Sequence, residues 1–401
     1  SGRIFRSKYS GVYAYYSKDS NTRKRQELNR KDFLASYTMN KRAMKAYSFG
    51  RNPPLKRMLA YLGICLAAVV LAAAALILIF GHAIPNGYGK WKVERAFAEA
   101  HPGSALRLGE MVYSIGDNRL EVQSIILNTR NSKLSAGRTA LSGVRWSRLI
   151  WGKAVLEEAL AKAGLDAENL NMKFYCARYG VRCARLRASA PGSELTAEGI
   201  DISPLLADKK IFAASAYRTT LFRLSVPKCR ISGLAYGELL AGSSYRAKSV
   251  NFTGPSLDAL VNCDKPAEPF VKCPLMVHEA LASIRQPLQI DSLSITNGYI
   301  KYRERMTAGA DPGVLTFAAV NISAENIASR AKTPAAILLR AQGKLMNAGL
   351  LKLLMTIPLA SKNFSLHYSG SLSTMKLARL DAFLDIAEHL RIKSGSAQEV
   401  T

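Results

Sequence analysis

Cysteine is the residue type in this sequence whose spacing most readily supports chemistry. One of the six cysteines, Cys65, lies in an apolar run, and an odd number remains outside it, so those five cannot all pair. Two pairs are separated by short loops and are suited to local disulfides in an oxidising compartment, namely Cys176 with Cys183 and Cys263 with Cys273. Buried free thiols are the alternative interpretation of the same residues.

The histidines and carboxylates form no recognised catalytic or metal-binding motif. The five histidines are scattered, HExxH and CxxC do not occur, and neither cysteine spacing matches a zinc site. No nucleophile elbow, phosphate-binding loop or dinucleotide-binding turn can be assembled either. The adjacent His278 and Glu279 are expected to begin a helix in MVHEALASI. The sequence therefore predicts a protein that is not an enzyme and binds no cofactor or metal.

An uninterrupted apolar run without charged residues extends from residue 58 to residue 80. As a helix it would be about 34 Å long, which matches the hydrocarbon core of a bilayer, so we predict a single transmembrane helix. A cleaved signal peptide is the competing interpretation, but the run is long and begins more than fifty residues into the sequence. Representative anchor residues are Met58, Leu59, Leu66, Val70, Leu76 and Phe80.

The charge distribution predicts the orientation of this anchor. Residues 1–57 hold fifteen Lys and Arg against three acidic residues, so the positive-inside rule places them in the cytoplasm of a bacterium. We interpret this segment as a disordered topology determinant without specific nucleic-acid binding. Of the formal net charge of +27, +15 then lies beyond the apolar run. A basic periplasmic ectodomain of this kind favours anionic surfaces such as phospholipid or lipopolysaccharide headgroups.

The sequence after the anchor predicts an α+β fold that is mostly β. Apolar and polar residues alternate in many short runs, beginning with RLEVQSIIL at 119–127. Apart from the helix expected to begin at His278, helical spacing occurs near 91–101, 146–164 and 374–390. In the last of these Leu380, Phe383 and Leu384 share one face, so we expect them to cover apolar surface of a sheet. We predict two β-rich regions, residues 81–284 and 285–401.

A degenerate motif in the first region has a glycine followed by two aliphatic residues six and seven positions later. Its three copies are SGVRWSRLIWG (142–152), EGIDISPLLAD (198–208) and SGLAYGELLAG (232–242). A strand that ends in a glycine turn and a short helical turn would produce this pattern. Chance similarity among strand ends rich in Gly and Leu is the alternative.

The sequence is similar to the AsmA-like family of bacterial envelope proteins. In that family a strand ending in Gly-Ser/Thr-Leu precedes a helix with a hydrophobic face, and here Gly370, Ser371 and Leu372 precede the predicted helix. One departure is Asp381, where the family pattern has Asn. The resemblance covers most of residues 100–401 and rests on apolar and glycine patterns. The segments that carry it are DKP (264–266), LQIDSLSITNGYIKYRE (288–304), GVLTFAAVNISAENIAS (313–329) and FSLHYSGSLSTMKLARLDAFLDIAEHLRIKSG (364–395).

This resemblance implies a membrane-anchored, elongated antiparallel β-sheet or β-groove with a few packing helices, directed from the inner membrane toward the outer one. It implies a role in lipid transport or in assembly and maintenance of the outer envelope, with membrane lipids and an envelope protein as partners. Phospholipid in an apolar groove and an ordinary sandwich core closed by a second sheet are both compatible with alternating strands. The alternative function is an anchored scaffold or adaptor that binds another envelope protein or an anionic glycan. The family pattern also predicts a further strand beyond Thr401.

Overall fold

The structure is a computed structural model that describes residues 88–114, 116–145, 156–268, 277–329, 336–359 and 366–400. In these residues the protein is mostly β, with one large sheet and a few short helices, as the alternating patterns predict. The predicted cytoplasmic segment and transmembrane helix lie outside the described residues and stay predictions. No helix in the described part of the chain is both long and apolar enough to cross a membrane.

The described elements follow the chain in a regular order. The helices are α1 (Tyr88–Ala100), α2 (Leu156–Leu160), α3 (Asp208–Ala214), α4 (Tyr236–Leu240), α5 (Val277–Ala282) and α6 (Asp381–Ala387), with a 3₁₀ turn at Leu377–Leu380. The first strands are β1 (Ala105–Leu108), β2 (Met111–Ser114), β3 (Arg119–Val122), β4 (Ile125–Asn128), β5 (Ser132–Ala136), β6 (Thr139–Ser142), β7 (Gly164–Phe174), β8 (Tyr179–Ser189), β9 (Glu194–Pro204) and β10 (Thr220–Ser232). The others are β11 (Tyr245–Thr253), β12 (Ser256–Asn262), β13 (Leu288–Arg305), β14 (Gly313–Ala328), β15 (Ala336–Leu345), β16 (Gly349–Pro358), β17 (His367–Leu372), β18 (Met375–Lys376) and β19 (Ser396–Ala397).

Seventeen strands of the described residues form one continuous sheet. The sheet begins with three interrupted strands, and each consists of two short pieces: β1 with β2, β3 with β4, and β5 with β6. The order continues through β7, β8, β9 and β10, then β11 with β12, then β13 to β17. Neighbours are antiparallel except that β13 runs parallel to β11 and β12. Hydrogen bonding therefore continues across residues 284–285, where the sequence predicted a division into regions.

A line of irregular residues crosses the strands at one level, and we call it the crease. In β7, β8 and β9 regular pairing is interrupted without a change of register, at Asn169, Ala184 and Gly199. Register shifts of the β-bulge type lie at the same level between β13, β14 and β15. The irregular positions are neighbours from strand to strand, so they form one line across the sheet. The crease comprises Gly109, Ser124, Gly137, Asn169, Ala184, Gly199, Pro227, Gly254, Asn297 and Ala319.

The crease keeps apolar side chains on one face of the sheet, which we call the inner face. Two residues three positions apart in a regular strand point to opposite faces, but the irregular crease residue between them brings both to the same face. In β7, Ala167 is buried before the crease, and Leu170 and Met172 are buried after it. Backbone conformation fits this role, because five crease residues have positive φ: Asn169, Gly199, Gly254, Asn297 and Ala319.

The inner face is deeply buried in the first half of the sheet. Leu134 and Phe174 are each 2% exposed, and they belong to one apolar cluster that takes residues from both sides of the crease. Helix α1 adds Val93 and Phe97 to the same cluster. Apolar burial of this extent is the main favourable contribution to folding. The first half of the sheet is therefore a closed core between the two sides of the crease and α1.

Two of the three motif glycines follow a strand, and the third does not. Gly143 follows β6 and Gly233 follows β10, with φ of +69° and +64°, and α4 begins soon after Gly233. Gly199 instead lies inside β9 at the crease, since residues after it continue to pair with β8 and β10. The glycine at this position thus permits the positive φ of the crease and does not form a turn.

Adding a methyl group at the crease is expected to destabilise the fold. In Gly199→Ala the new Cβ would lie 2.8 Å from the Ala184 Cβ, at a φ of +63° that alanine adopts only with strain. We expect the free energy of unfolding to fall by about 2 kcal/mol, measured by urea denaturation. Gly242→Ala is the matched control, because its φ is +64° and nothing lies within 4 Å of the added Cβ. Equal losses in the two variants would show that the crease is not closely packed there.

The helices predicted from sequence are located in part. The segment near 91–101 forms α1, and α5 begins at Val277 as expected for the segment with His278 and Glu279. Residues 146–155 of the second predicted helix lie outside the described residues. A single helix over 374–390 was wrong in extent, because Met375 and Lys376 pair with Ala397 and Ser396 as β18 and β19. Only the part from Asp381 is α-helical, after the 3₁₀ turn.

Candidate functional site

The second half of the inner face is apolar, and most of its large side chains are only half-buried, although Val320 and Ala324 on the same face are buried. Its side chains lie on β13 to β16, on the face that is buried in the first half of the sheet. We call this region the open apolar surface. It comprises Leu293, Ile295, Ile300, Phe317, Ile322, Leu339, Leu353 and Met355.

Strand register explains why these side chains form one surface. Ile295 is opposite Ile322, and Ile300 is opposite Phe317. Four strands spaced at about 4.8 Å make the surface about 14 Å wide, and the eight residues from Leu293 to Ile300 make it about 23 Å long. This footprint of about 320 Å² falls in the range of the largest apolar patch on a typical monomer, and such patches are often functional.

Two helices bound the open apolar surface at its ends. At one end Leu281 of α5 packs on a small cluster of buried residues that includes Ile327, Ile337 and Ile357. At the other end α6 lies on β13 and β14, where the rings of Tyr302 and Phe383 have centroids 6.1 Å apart. Leu293, Leu339 and Met355 of the open apolar surface pack against the cluster at the α5 end.

The residues predicted to cover apolar surface lie at this second end. Leu380, Phe383 and Leu384 are each half-buried, with Leu380 in the 3₁₀ turn and the other two in α6. The helix approaches the sheet closely, because a Cβ added at Gly313 would be 2.9 Å from the Phe383 carbonyl oxygen. Helix α6 therefore covers the margin of the inner face at this end.

The opposite, outer face of the sheet carries ion pairs between strands. Arg185 contacts Asp166 through two hydrogen bonds of 3.0 and 2.6 Å, and Arg138 contacts Glu121 at 2.6 and 2.9 Å. Hydrogen bonding to Arg185 holds the pKa of Asp166 below its usual value, and Arg138 does the same for Glu121. These charges remain solvated, so each pair contributes little to stability.

The best-defined depression of the described surface is also on the outer face and is polar. It is open to solvent and is lined mainly by Arg119, Asp166, Arg187 and Glu194 with small residues between them. Its carboxylates already contact arginines, so it offers no free general base. Among the described residues no group of three or more His, Cys, Asp or Glu side chains could hold a metal ion. We therefore regard the open apolar surface as the candidate site.

The predicted disulfide between Cys176 and Cys183 is absent from the structure. Both residues are free thiols: Cys176 is exposed in the turn between β7 and β8, whereas Cys183 is buried in β8. The Cys183 thiol instead donates to the backbone oxygens of Arg185 and Glu198 at 3.3 and 3.5 Å. Cys263 is a free thiol of intermediate exposure, and Cys273 lies outside the described residues.

Alkylation should distinguish the cysteines of the folded protein. Burial raises the pKa of the Cys183 thiol, and it raises the pKa of Cys229 to about 11, so both are protonated and shielded at pH 8. We expect iodoacetamide to modify Cys176 rapidly and these two at least about tenfold more slowly, followed by peptide mass spectrometry. Unfolding in urea is the control and should remove the difference. Protection of Cys176 in the native protein, lost on reduction, would restore the disulfide prediction.

Sequence reasoning missed the crease and the contrast between the two halves of the inner face. A usable signal existed for the crease, because alternation changes phase at an Asn, Gly or Pro inside long apolar runs, as at Asn169 and Pro227. No comparable signal exists for exposure, since Leu134 and Leu353 occupy similar alternating patterns.

The assignment of the candidate site rests on its geometry alone. No protein-family model matches this sequence, and a search of curated proteins finds no match. The open apolar surface, bounded by α5 and α6, is therefore the observation on which a function must rest.

Proposed function

We propose that this chain is a membrane-anchored, non-enzymatic protein that handles lipid, and that its open apolar surface holds acyl chains. The half-buried rows of β13 to β16 carry the proposal, because an apolar strip of this size is costly to leave in water. In a bacterial envelope the abundant apolar ligands are membrane lipids. The apolar run at 58–80 and the resemblance to AsmA-like proteins support a proposed location at the inner membrane, with this sheet in the periplasm.

The shape of the site supports acyl chains over compact ligands. Its side chains are aliphatic or aromatic and lie in parallel rows along strands, without polar groups converging on one point. Sites for small polar ligands, by contrast, place a few polar groups to fix one orientation. A surface of this kind binds long apolar chains through the apolar area that they bury, and it does not recognise one functional group. Lipid transport or maintenance of the outer envelope is the role that follows.

Charge supports a phospholipid or another anionic lipid as the cargo. The sequence after the apolar run carries a formal net charge of +15. A positive field of this size attracts anionic headgroups while the acyl chains lie on the apolar rows. Many arginines of the described residues are paired on the outer face, so the attraction is diffuse and does not identify one headgroup.

Bound lipid is the direct test of this proposal. A fragment of residues 85–401 is purified without detergent, checked for cooperative unfolding, and extracted for lipid mass spectrometry. We expect phospholipid at about one molecule per chain or more. A folded fragment free of lipid would contradict the proposal and would favour the alternative, an anchored scaffold that binds an envelope protein or an anionic glycan.

A further inference from the structure

Two tight turns at one end of the sheet lie side by side. The turn between β4 and β5 is joined to the turn between β7 and β8 by a hydrogen bond of 3.0 Å from the Tyr175 N–H to the Asn131 oxygen. The Arg178 oxygen of the second turn accepts a 2.8 Å hydrogen bond from the N–H of Leu205, which follows β9. These segments form one continuous surface, which we call the tip. Its exposed cations and apolar side chains are Arg130, Lys133, Lys173, Tyr175, Arg178 and Leu206.

The tip holds two like charges in direct opposition. Lys133 of β5 and Lys173 of β7 are partners in the antiparallel register, and both are exposed. Like charges directly opposite each other destabilise a sheet. The next partners along the same row are uncharged, since Lys133 is opposite Asn128 and Lys173 is opposite Gly180. The row therefore retains a repulsion that its strand neighbours do not relieve, and local conflicts of this kind are expected at functional sites.

The carboxylates on the neighbouring strands are already neutralised by arginines. Asp201 of β9 contacts Arg182 at 3.0 Å, and Asp208 of α3 contacts Arg223. In the part of the chain that the structure describes, no ion pair involves any of the four cations of the tip. The tip therefore presents positive charge without a counter-charge, in contrast to the paired arginines elsewhere on the outer face.

Two large apolar side chains are exposed among these cations. Tyr175 is 51% exposed and Leu206 is 47% exposed. Cations that flank an aromatic and an aliphatic side chain are suited to the headgroup region of a bilayer, where the charges meet phosphates and the apolar parts enter below them. An anionic glycan would neutralise the lysines but would leave Leu206 in water. The composition of the tip thus favours a bilayer surface.

We propose that the tip docks on the surface of a bilayer that contains anionic phospholipid. Charge complementarity selects this partner, because each basic residue near an anionic membrane surface adds to binding. A phosphate close to both ammonium groups would also offset the repulsion between Lys133 and Lys173. Docking of the tip does not depend on acyl chains in the open apolar surface, so it can fail or succeed separately from the proposed function.

A natural labelling position lies within the tip. Cys176 is an exposed free thiol next to Tyr175. The full chain is reconstituted in nanodiscs and labelled with an environment-sensitive nitrobenzoxadiazole dye, and the signal of the Cys176→Ser chain is subtracted. Nanodiscs and added vesicles contain phosphatidylcholine alone or phosphatidylcholine with phosphatidylglycerol. We expect stronger, blue-shifted emission when either bilayer contains phosphatidylglycerol, no change with phosphatidylcholine alone, and loss of the change at high salt.

Charge reversal at one lysine separates docking from folding. Lys133→Glu places a carboxylate opposite Lys173, so we expect an unchanged or higher melting temperature. The same change should weaken binding to anionic bilayers at least about tenfold, and Lys173→Glu should behave in the same way. Lys352→Glu is the matched control, because Lys352 is exposed on the outer face of β16 and the change in charge is equal. This control should retain the affinity of the unsubstituted chain.

Four results would overturn the proposal. They are no emission change with phosphatidylglycerol, an equal change with phosphatidylcholine alone, equal loss of affinity in Lys133→Glu and Lys352→Glu, and a response to dextran sulfate as strong as that to anionic vesicles. The last result would identify an anionic glycan as the occupant of the tip.

Discussion

Leu134→Asp is expected to lower the free energy of unfolding by about 4 kcal/mol or more. Leu134 lies on β5, is 2% exposed, and stands between Leu127 and Met172 in the closed half of the inner face. The substitution removes apolar contacts and places a carboxylate where no cation of the cluster can pair with it. Losses of this size are exceptional for single substitutions and follow from this mechanism.

Urea denaturation of the fragment 85–401 measures this effect, with Leu354→Asp as the control. Leu354 is 41% exposed on the outer face of β16, so the same change there should cost less than about 1 kcal/mol. If both variants lost similar stability, the inner face of the first half would not be a closed core.

Leu353→Asp is expected to remove most bound lipid while the protein remains folded. Leu353 lies in the open apolar surface and is half-buried, so a carboxylate there stays partly solvated and costs about 1–2 kcal/mol of stability. The same carboxylate would be desolvated by an acyl chain, which should weaken lipid binding by at least about tenfold. Lipid content per folded chain, measured by mass spectrometry, checks the result.

The neighbouring residue provides an unusually close control for this prediction. Leu354 follows Leu353 in β16, and its side chain points to the opposite face, where it is opposite Arg340 of β15. Leu354→Asp should therefore retain lipid at the level of the unsubstituted fragment. Equal lipid loss in both variants would indicate a general effect of charge or folding and would refute the assignment to the inner face.

The strands were predictable because alternation of apolar and polar residues is a local property. RLEVQSIIL at 119–127 predicted a strand, and the structure divides it into β3 and β4 at Gln123 and Ser124. The division escapes a pattern argument because it depends on the crease, which is a property of many strands side by side. An irregular residue in one strand is a weak signal, and only the pairing of strands shows that ten such residues are aligned.

The sequence predicted an apolar groove as one of two alternatives, but it did not predict which strands would form it. Alternation gives an apolar face, but burial of that face depends on what lies across from it, which no local pattern contains. Leu134 is covered by the closed core, whereas Leu353 has no such cover, although both are leucines in alternating strands. The predicted C-terminal helix was too long for a similar reason, since pairing of β18 with β19 overrides helical spacing at Met375.

Photocrosslinking locates bound lipid and tests the central claim most directly. The fragment 85–401 is loaded with a phospholipid that carries a diazirine in its acyl chain, irradiated, and digested for residue-level mass spectrometry. We predict labels concentrated on Ile300, Phe317 and Leu353 of the open apolar surface. Labels on the outer residues Lys352 and Leu354 at equal frequency, or no labelling above a soluble control protein, would contradict the account.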